Sequence, residues 1–290
     1  MNIGLHALPF HQIPKDQILA LSDMLERAGF LVYFSQSLVR PFEKFTSNFS
    51  RTFNLESDIS SFKAILSLGG DGTILDSLLY AVPAKVPILG INFGRLGFLA
   101  TAQSTDYEAI VSVLQKEKMS IFHRPLLEIS NSEEAISFPQ NFALNEIAIT
   151  KRDTASMITI ETFIEDEFLN DYWGDGLIIS TATGSTGYSL SCGGPILVPE
   201  NESVVLTPVS PHNLSMRPLV IPDKIKIKIK PKGRQQKVML SMDSRSKPIL
   251  VNKFLEIKKS PLAANFVDFP NYSFGKTIRE KLFWGKDLRN

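Results

Sequence analysis

The residues best suited to chemistry are Gly69-Gly70-Asp71-Gly72-Thr73, which follow an apolar run at residues 62–68 and precede another at residues 74–80. The first run predicts a strand and the second predicts a helix. Glycines let the backbone turn tightly and approach a ligand, and the free N–H groups at a helix start attract anions. A carboxylate repels phosphate, so Asp71 needs a task of its own, such as accepting a proton or holding a metal. The same residues also suit a tight turn with an aspartate helix cap.

A second candidate stretch, residues 174–196, joins a buried strand to a loop crowded with hydroxyl groups and glycines. Hydroxyls and exposed backbone N–H groups suit the oxygens of ribose and phosphate, and Tyr188 is able to lie against a flat base. The alternative is a turn region rich in serine and threonine that binds nothing. We favour binding, because so many glycines weaken a fold and would bring no gain without a function. Asn145-Glu146, just before the predicted strand 147–149, adds an amide and a carboxylate for a base or a diol.

Other motif-like stretches fail on their spacing. Gly275-Lys276-Thr277 imitates the end of a phosphate-binding P-loop, but Pro270 occupies the position of the required glycine. Gly70-Asp71-Gly72 lacks the third glycine of the dinucleotide fingerprint, since Leu75 stands in its place. The histidines lie too far apart for a local metal-binding pattern.

The elements that must position these residues alternate between strand and helix over the first part of the chain. A capping box, Thr105-Asp106-Tyr107-Glu108, indicates the start of one of the helices. Alternation of this kind predicts a parallel sheet. The predicted strands are residues 3–5, 30–34, 62–68 and 86–91, and the predicted helices follow Pro14, Thr73 and Thr105.

Beyond residue 122, short β-branched runs follow one another at turn-length intervals, which predicts a mostly antiparallel β domain. We therefore expect an α/β domain at residues 1–122, a β domain at residues 123–262 and a tail at residues 263–290. The spacing of Thr277 and Glu280 predicts a capped helix that begins at Thr277. We expect the tail to pack back on the first domain through its aromatic residues, Phe266, Phe269, Tyr272 and Phe274.

The composition is that of an ordinary water-soluble globular protein. The 290 residues are 43% hydrophobic and 21% charged, with a net charge of +1, so no broad basic field predicts a nucleic-acid partner. The most apolar region, residues 65–100, is interrupted by charges, glycines and prolines and does not predict a membrane span. A single cysteine excludes an intramolecular disulfide, and the first residues lack the features of a signal peptide. We therefore expect a cytoplasmic protein.

Several blocks of this chain together resemble the NAD kinases. The glycine-aspartate block also occurs in diacylglycerol and sphingosine kinases, whereas the serine- and glycine-rich block is highly specific to the NAD kinases. The blocks run in the order found in that family: residues 69–73, 92–99, 145–146, 175–196 and 210–219.

The resemblance implies an N-terminal α/β domain, a C-terminal β domain, a tail that returns to the first domain and an active site in the cleft between the domains. It implies transfer of the γ-phosphoryl group of ATP to the 2′-hydroxyl of the adenosine ribose of NAD, giving NADP. A divalent metal cation, Mg²⁺, would assist. The resemblance also implies a homodimer or homotetramer, in which a second subunit completes the site near Asp175.

The roles of individual residues follow from the same resemblance. Asp71 would be the proton acceptor, and Gly72 a backbone contact to the dinucleotide. Asn145 and Glu146 would hold adenosine, and Asp175 would reach the other end of NAD from the neighbouring chain. The other predicted binding residues are Ser156, Trp173 and Arg245, together with Thr186, Gly187, Tyr188, Ser189, Leu190 and Ser191 on the adenine side.

This chain departs from the family pattern at four of these positions. Gly187 stands where an alanine is usual, and Trp173 stands where smaller or charged residues are frequent. Ser156 and Arg245 occupy positions where many relatives have other polar contacts. The departures leave the reaction intact and concern substrate detail, including acceptance of NADH and of phosphoryl donors besides ATP.

Two other functions share some of these residues. A lipid kinase of the glycine-aspartate type would contain Asp71 but should lack the block at residues 175–196. A non-catalytic NAD sensor would keep the ribose and base contacts but has no need of Asp71. The presence of both features favours an NAD kinase.

Overall fold

The computed structural model describes residues 1–9, 13–41, 49, 51–94, 97–131, 138–153, 156–270 and 273–285. Arg95 and Leu96 of the block at residues 92–99, and Tyr272 of the tail, lie outside these ranges. The chain divides into two compact units. Unit 1 comprises Met1–His123 and Ala264–Asn290, and unit 2 comprises Arg124–Ala263.

The first part of unit 1 alternates between strands and helices, as predicted. Its elements are β1 (Asn2–His6), α1 (Lys15–Arg27), β2 (Leu31–Ser35), α2 (Gln36–Val39), β3 (Thr52–Phe53), β4 (Phe62–Leu68), α3 (Asp71–Ala84), β5 (Ile88–Asn92), β6 (Ala102–Gln103) and α4 (Tyr107–Gln115).

These strands form a parallel sheet in the order β3-β2-β1-β4-β5-β6. The central strands are buried on both faces, as their continuous apolar sequences require. Helix α1 buries one face through Ile18, Leu21 and Leu25, which lie at helical spacing. The predicted parallel α/β architecture is confirmed.

Unit 2 consists almost entirely of strands. The chain continues with β7 (Ile121–Asn131), β8 (Phe142–Ala143), β9 (Glu146–Thr150), β10 (Ile158–Ile164), β11 (Glu167–Gly174), β12 (Gly176–Thr181), a 3-10 helix (Thr183–Thr186), α5 (Tyr188–Ser191), β13 (Ser203–Val209), β14 (Leu219–Pro222), β15 (Ile227–Lys232), β16 (Lys237–Met242), β17 (Arg245–Leu250) and β18 (Leu255–Val267). The chain then returns to unit 1, where α6 (Phe274–Lys281) lies.

The strands of unit 2 pair antiparallel, as predicted. One sheet has the order β14-β13-β12-β9-β16-β17, and a second antiparallel ladder runs β11-β10-β15-β18. Apolar side chains from both, including Ile147, Ile160, Leu206, Ile229 and Leu240, form one buried core. The loop that follows β12 is therefore held by a well-packed sheet.

Three predicted helix starts are wrong. Helix α3 begins at Asp71 rather than after Thr73, because the helical turn already includes the glycine-aspartate block. Helix α4 begins at Tyr107 and has no side-chain cap, because the Asp106 carboxylate instead accepts the Gln103 backbone N–H at 2.8 Å. Helix α6 begins at Phe274 rather than Thr277, because the Ser273 side chain caps it by accepting the Lys276 backbone N–H. This earlier start extends α6 over the turn that precedes Thr277.

The tail aromatics that the structure describes contact residues of unit 1. Phe266 stacks on Phe122 with ring centroids 5.5 Å apart, and Phe274 lies 6.4 Å from Phe98. Phe269 is part of the buried core beside the parallel sheet.

None of the helices in the described part of the chain is both long and apolar enough to cross a membrane.

Candidate active site

Asp71 is the first residue of α3, directly after the turn that ends β4. Its carboxylate does not cap its own helix. Instead, Oδ2 accepts the Phe98 backbone N–H at 2.9 Å, and Oδ1 accepts those of Leu99 and Ala100 at 3.0 and 3.3 Å. Asp71 therefore holds the segment between β5 and β6 against the start of α3.

This contact needs a glycine at position 97. A Cβ atom there would lie 2.1 Å from Asp71 Oδ1, well inside van der Waals contact. The glycine lets the chain pass close enough for the next three residues to direct their N–H groups at the carboxylate. The local sequence of residues 97–100 and the acid at position 71 thus form one structural unit.

A cation completes the surroundings of Asp71. The ammonium group of Lys281, the last residue of α6, lies 3.1 Å from Asp71 Oδ2 and 4.8 Å from the centroid of the Phe98 ring. Each carboxylate oxygen thus accepts two hydrogen bonds. A carboxylate offers about four lone-pair sites, so the described contacts occupy all of them.

In unit 2, Asn145 and Glu146 lie directly against the hydroxyl-rich loop. The Asn145 carbonyl accepts the Thr181 backbone N–H at 2.9 Å, and the Thr181 hydroxyl donates to the Leu144 carbonyl at 2.6 Å. A Cβ atom on Gly184 would lie 2.1 Å from the Asn145 carbonyl oxygen, so only glycine permits this approach. The structure therefore brings together two stretches that the sequence analysis selected separately.

The segment at residues 144–146 is held by another aspartate, Asp243, in the turn between β16 and β17. Its carboxylate accepts the backbone N–H groups of Leu144, Asn145 and Glu146 at 2.9, 2.8 and 3.2 Å. Asp243 has a φ of 51°, a left-handed conformation that aspartate tolerates better than most residues. The hairpin turn thus determines where Asn145 and Glu146 begin β9.

Arg245, on the same hairpin, acts on the backbone just before this segment. Its guanidinium donates to the carbonyls of Gln140 and Phe142 and lies over the rings of Phe138 and Phe142. The Arg245 side chain therefore binds backbone and aromatic groups of unit 2 itself.

The Glu146 carboxyl group is one of two acids in or beside this segment whose pKa is raised. Burial and the nearby charge of Asp243 raise the pKa of Glu146 to about 7, although the Tyr188 backbone N–H opposes the shift. Burial likewise raises the pKa of Asp243, against the effect of the three N–H groups and Arg245. Among the described residues, Glu146 Oε2 is buried and finds no hydrogen-bond partner. An unpaired buried acceptor of this kind suits a hydroxyl or amine donor of a ligand.

The hydroxyl-rich loop divides into structural and exposed residues. Ser189 is buried and bonds the Thr207 hydroxyl at 2.7 Å, and the Thr186 hydroxyl donates to the Thr183 carbonyl at 3.4 Å. Tyr188 and Ser191 are exposed, and Gly187 and Leu190 are half-buried. Only part of this loop therefore presents side chains to solvent.

Asp175 and Trp173 lie at the junction of β11 and β12. The Asp175 carboxylate pairs with Lys151 Nζ at 2.7 Å, and Trp173 lies on the ring of His212, with centroids 4.1 Å apart. The pKa of Tyr188 is raised mainly by burial, with further contributions from Cys192, Asp175 and Glu146. Tyr188 therefore lies close enough to both Asp175 and Glu146 for their charges to affect its pKa.

The described lining of the cleft that contains Ser156 does not include residues of the adenine-side loop. Ser156 lines this small cleft together with the cations Lys151, Arg234 and Lys237 and the acid Asp153, and Lys151 is the residue that pairs with Asp175. A hydroxyl among several cations is suited to an anionic group.

Comparison with protein families identifies the chain. A family model described as the ATP-NAD kinase N-terminal domain matches residues 19–118, and one described as the ATP-NAD kinase C-terminal domain matches residues 144–269. The chain belongs to the ATP-NAD kinase family. The resemblance inferred from the sequence blocks is confirmed.

Individual relatives of this ATP-NAD kinase family member agree with the assignment. The NAD kinase of Flavobacterium psychrophilum is 45% identical over 267 residues, which cover 91% of this chain and 88% of that protein. The NAD kinase of Cytophaga hutchinsonii is 41% identical and is covered over its full length.

Two solved structures are similar to this chain. The crystal structure of an NAD kinase from Archaeoglobus fulgidus in complex with ATP has a TM-score of 0.73 and 26% identity, and the match covers 98% of both chains. The crystal structure of yeast NADH kinase complexed with NADH has a TM-score of 0.85, covering all of this chain and 89% of that one. At 24% identity, the yeast match shows a shared fold.

Two residues beside the candidate site residues were not predicted from the sequence. Lys281 contacts Asp71, and Asp243 contacts the backbone of Asn145. Lys281 follows an unremarkable polar stretch, and no local signal distinguishes it. Asp243 does have a weak signal, since Asp243 and Ser244 are turn-favouring residues directly after the predicted strand at residues 238–242.

Glu146→Gln keeps the shape of the side chain and removes its ability to ionise. Folding raises the pKa of Glu146 from 4.5 to about 7, so the protonated side chain favours the folded state. This contribution to the free energy of unfolding is fully present below pH 4.5 and is lost as the pH rises through about 7. We expect the E146Q protein to have a free energy of unfolding higher than the parent by up to about 3 kcal/mol at pH 8, and similar to it at pH 4.5.

Urea unfolding across this pH range measures the difference, and Glu167→Gln on the exposed strand β11 is the matched control for a surface carboxyl. A difference between E146Q and the parent that stays constant with pH would contradict the raised pKa.

Gly184→Ala should destabilise unit 2 by about 1–3 kcal/mol, because the added methyl group meets the backbone of Asn145 rather than a movable side chain. Gly233→Ala is the control, since its Cβ atom would find its nearest neighbour at 3.5 Å, an ordinary contact. Urea titration of both variants gives the comparison. Equal stability of the two variants would show that the close approach at Gly184 is not required.

Proposed function

We propose that this chain transfers the γ-phosphoryl group of ATP to the 2′-hydroxyl of the adenosine ribose of NAD, giving NADP. Membership of the ATP-NAD kinase family carries the proposal. The relative from Archaeoglobus fulgidus, solved in complex with ATP, and the curated NAD kinases support the same substrates.

Asp71 is the proposed proton acceptor. The ribose 2′-oxygen forms a bond to the γ-phosphorus, the bond from that phosphorus to the bridging oxygen breaks, and ADP leaves with the electron pair. The hydroxyl proton passes to Asp71, which the backbone N–H groups of residues 98–100 hold in one orientation. Gly72, in the first turn of α3, is the proposed backbone contact to the dinucleotide.

Asn145 and Glu146 are the proposed adenosine-binding residues. The buried, unpartnered Glu146 Oε2 supports this role, because a hydroxyl or amine of the nucleoside would satisfy it. The exposed Tyr188 and Ser191 are suited to direct contact with the adenine side, together with Thr186, Gly187 and Leu190, whereas Ser189 stabilises the loop through Thr207.

Other predicted binding residues take less direct roles in this proposal. Arg245 acts through the backbone that leads to Asn145, and Ser156 and Trp173 belong to the surroundings of Asp175 and Lys151.

The divalent cation would arrive with ATP. Among the described residues there is no group of three or more His, Cys, Asp or Glu side chains able to hold a metal ion. Mg²⁺ generally keeps several waters and binds through substrate phosphates with one or two carboxylates, so the absence of a protein cage fits this cation. Its chemistry would be to neutralise charge on the phosphate oxygens.

We further propose a homodimer or homotetramer in which Asp175 acts on NAD bound by a neighbouring subunit. The partly exposed Asp175–Lys151 pair supports this role, because an exposed ion pair separates at little cost when a ligand offers hydrogen bonds. The cytoplasmic location stays a prediction from the sequence.

Incubating the purified protein with ATP, Mg²⁺ and NAD tests the activity, with NADP and ADP measured together. NADP and ADP should form in equal amounts. Binding of NAD without formation of NADP would instead identify a non-catalytic sensor.

Asp71→Asn should reduce turnover by about a hundred- to ten-thousandfold, because asparagine cannot accept the proton. Its amide also loses one acceptor that the backbone N–H groups use, so unfolding must be measured beside activity. NAD affinity should change little, since Asn145 and Glu146 are intact. If turnover falls less than about tenfold at saturating substrates, Asp71 is not the general base, and if added Mg²⁺ restores the variant, Asp71 is a metal ligand.

Mixing two damaged variants tests the proposed shared site. Asp175→Ala and Asp71→Asn damage different parts of the site, so a mixed oligomer should assemble some intact sites and regain part of the activity. The mixture is compared with each variant incubated alone. No recovery, with subunit exchange demonstrated by mass, would contradict a site shared between subunits.

A further inference from the structure

Lys281 lies beyond both segments that the family models match, since these end at residues 118 and 269. Its ammonium nevertheless pairs with Asp71 Oδ2 at 3.1 Å, which places the C-terminal helix α6 at the reaction centre proposed above. The Lys281 side chain remains 36% exposed, so solvent and solutes reach it.

The contacts of Asp71 conflict with its proposed role. A group that accepts a proton needs a free lone pair, yet the backbone and Lys281 together occupy about all four sites of this carboxylate. The three backbone N–H groups belong to a segment packed against Asp71. Lys281 is the only one of these four donors on a flexible side chain, and so it is the partner that can leave.

A carboxylate beside ATP also raises an electrostatic difficulty, because it repels the phosphate groups. An adjacent ammonium offsets this repulsion while the triphosphate approaches. A lysine is suited to this task because it binds phosphate as a compact point charge on a flexible stem.

We propose that Lys281 is a further catalytic residue, which moves from Asp71 to the γ-phosphoryl group when ATP binds. This inference rests on the proposed function of Asp71. The move frees one lone pair of Asp71 Oδ2 for the ribose hydroxyl and brings positive charge to the group that is transferred.

Distances are compatible with this exchange. A general base lies about 3 Å from the oxygen whose proton it accepts. That oxygen lies about 3–3.5 Å from the atom it attacks. The γ-phosphoryl group would therefore lie about 6 Å from Asp71, within the range that a lysine starting 3.1 Å from Asp71 covers by rotating its stem.

The step balances without proton transfer by Lys281. The ribose oxygen bonds to phosphorus, the bridging oxygen leaves on ADP, and the hydroxyl proton goes to Asp71. Lys281 stays protonated throughout and stabilises negative charge on the equatorial phosphoryl oxygens.

Lys281→Met tests this inference because it keeps much of the side-chain length and removes the charge. We expect kcat/KM for ATP to fall about 10- to 100-fold, as when one preorganised donor is removed from an active site. The KM for NAD should change less than about twofold, and the melting temperature should stay close to that of the parent protein. Lys281→Arg, which keeps the charge, should recover part of the lost activity.

The control is Lys276→Met on the same helix, since Lys276 is exposed and pairs with Glu280 at 4.0 Å. It should match the parent protein in all of these measurements. Equilibrium binding of ATP with Mg²⁺, in the absence of NAD, gives a readout independent of turnover and should weaken only in the K281M protein.

Three results would overturn the inference. Unchanged kinetics in the K281M protein would show that the ion pair only tethers α6. Faster turnover would show that Lys281 inhibits Asp71, and an equal loss for NAD and ATP would show a general structural effect. A parent protein that makes no NADP would instead reject the proposed function, which is a separate outcome.

Discussion

The architecture of the proposed reaction centre in unit 1 depends on one carboxylate that accepts consecutive backbone N–H groups. Asp71 holds residues 98–100 in this way, and Gly97 provides the space. The N–H groups fix the position of the acid and stabilise its charge. Because those donors belong to the connection from β5 to β6, the turn after one parallel strand is tied to the chain that follows its neighbour.

Unit 2 repeats this arrangement on an unrelated framework. Asp243 accepts the N–H groups of residues 144–146, and it lies in a hairpin turn instead of at a helix start. In both units an aspartate shapes the backbone of a candidate functional segment. Buried N–H groups need partners, and a carboxylate is able to satisfy several at once.

The two acids with proposed functional roles, Asp71 and Glu146, differ in the charge that lies beside each of them. Asp71 is partly exposed and has Lys281 beside it, whereas Glu146 has a buried carboxylate oxygen and lies next to another acid, and its pKa is raised. An accessible carboxylate with a cation beside it is suited to proton transfer close to phosphate, because the cation offsets the repulsion. An acid with a buried, unsatisfied oxygen is suited to recognising the hydroxyl or amine groups of a nucleoside. The difference in the neighbouring charge therefore matches the different roles proposed for these two acids.

The sequence alone determined the family, the α/β and β-rich halves and the strand, turn and helix around Asp71, because periodicity and motifs are local properties. It selected Asn145, Glu146 and the loop with Tyr188 as separate stretches. Only the tertiary structure decided which groups meet: Asp71 contacts Phe98, 27 residues away, and Lys281, 210 residues away. No local pattern encodes such contacts, since they arise from sheet order and from the return of the C-terminal segment to unit 1.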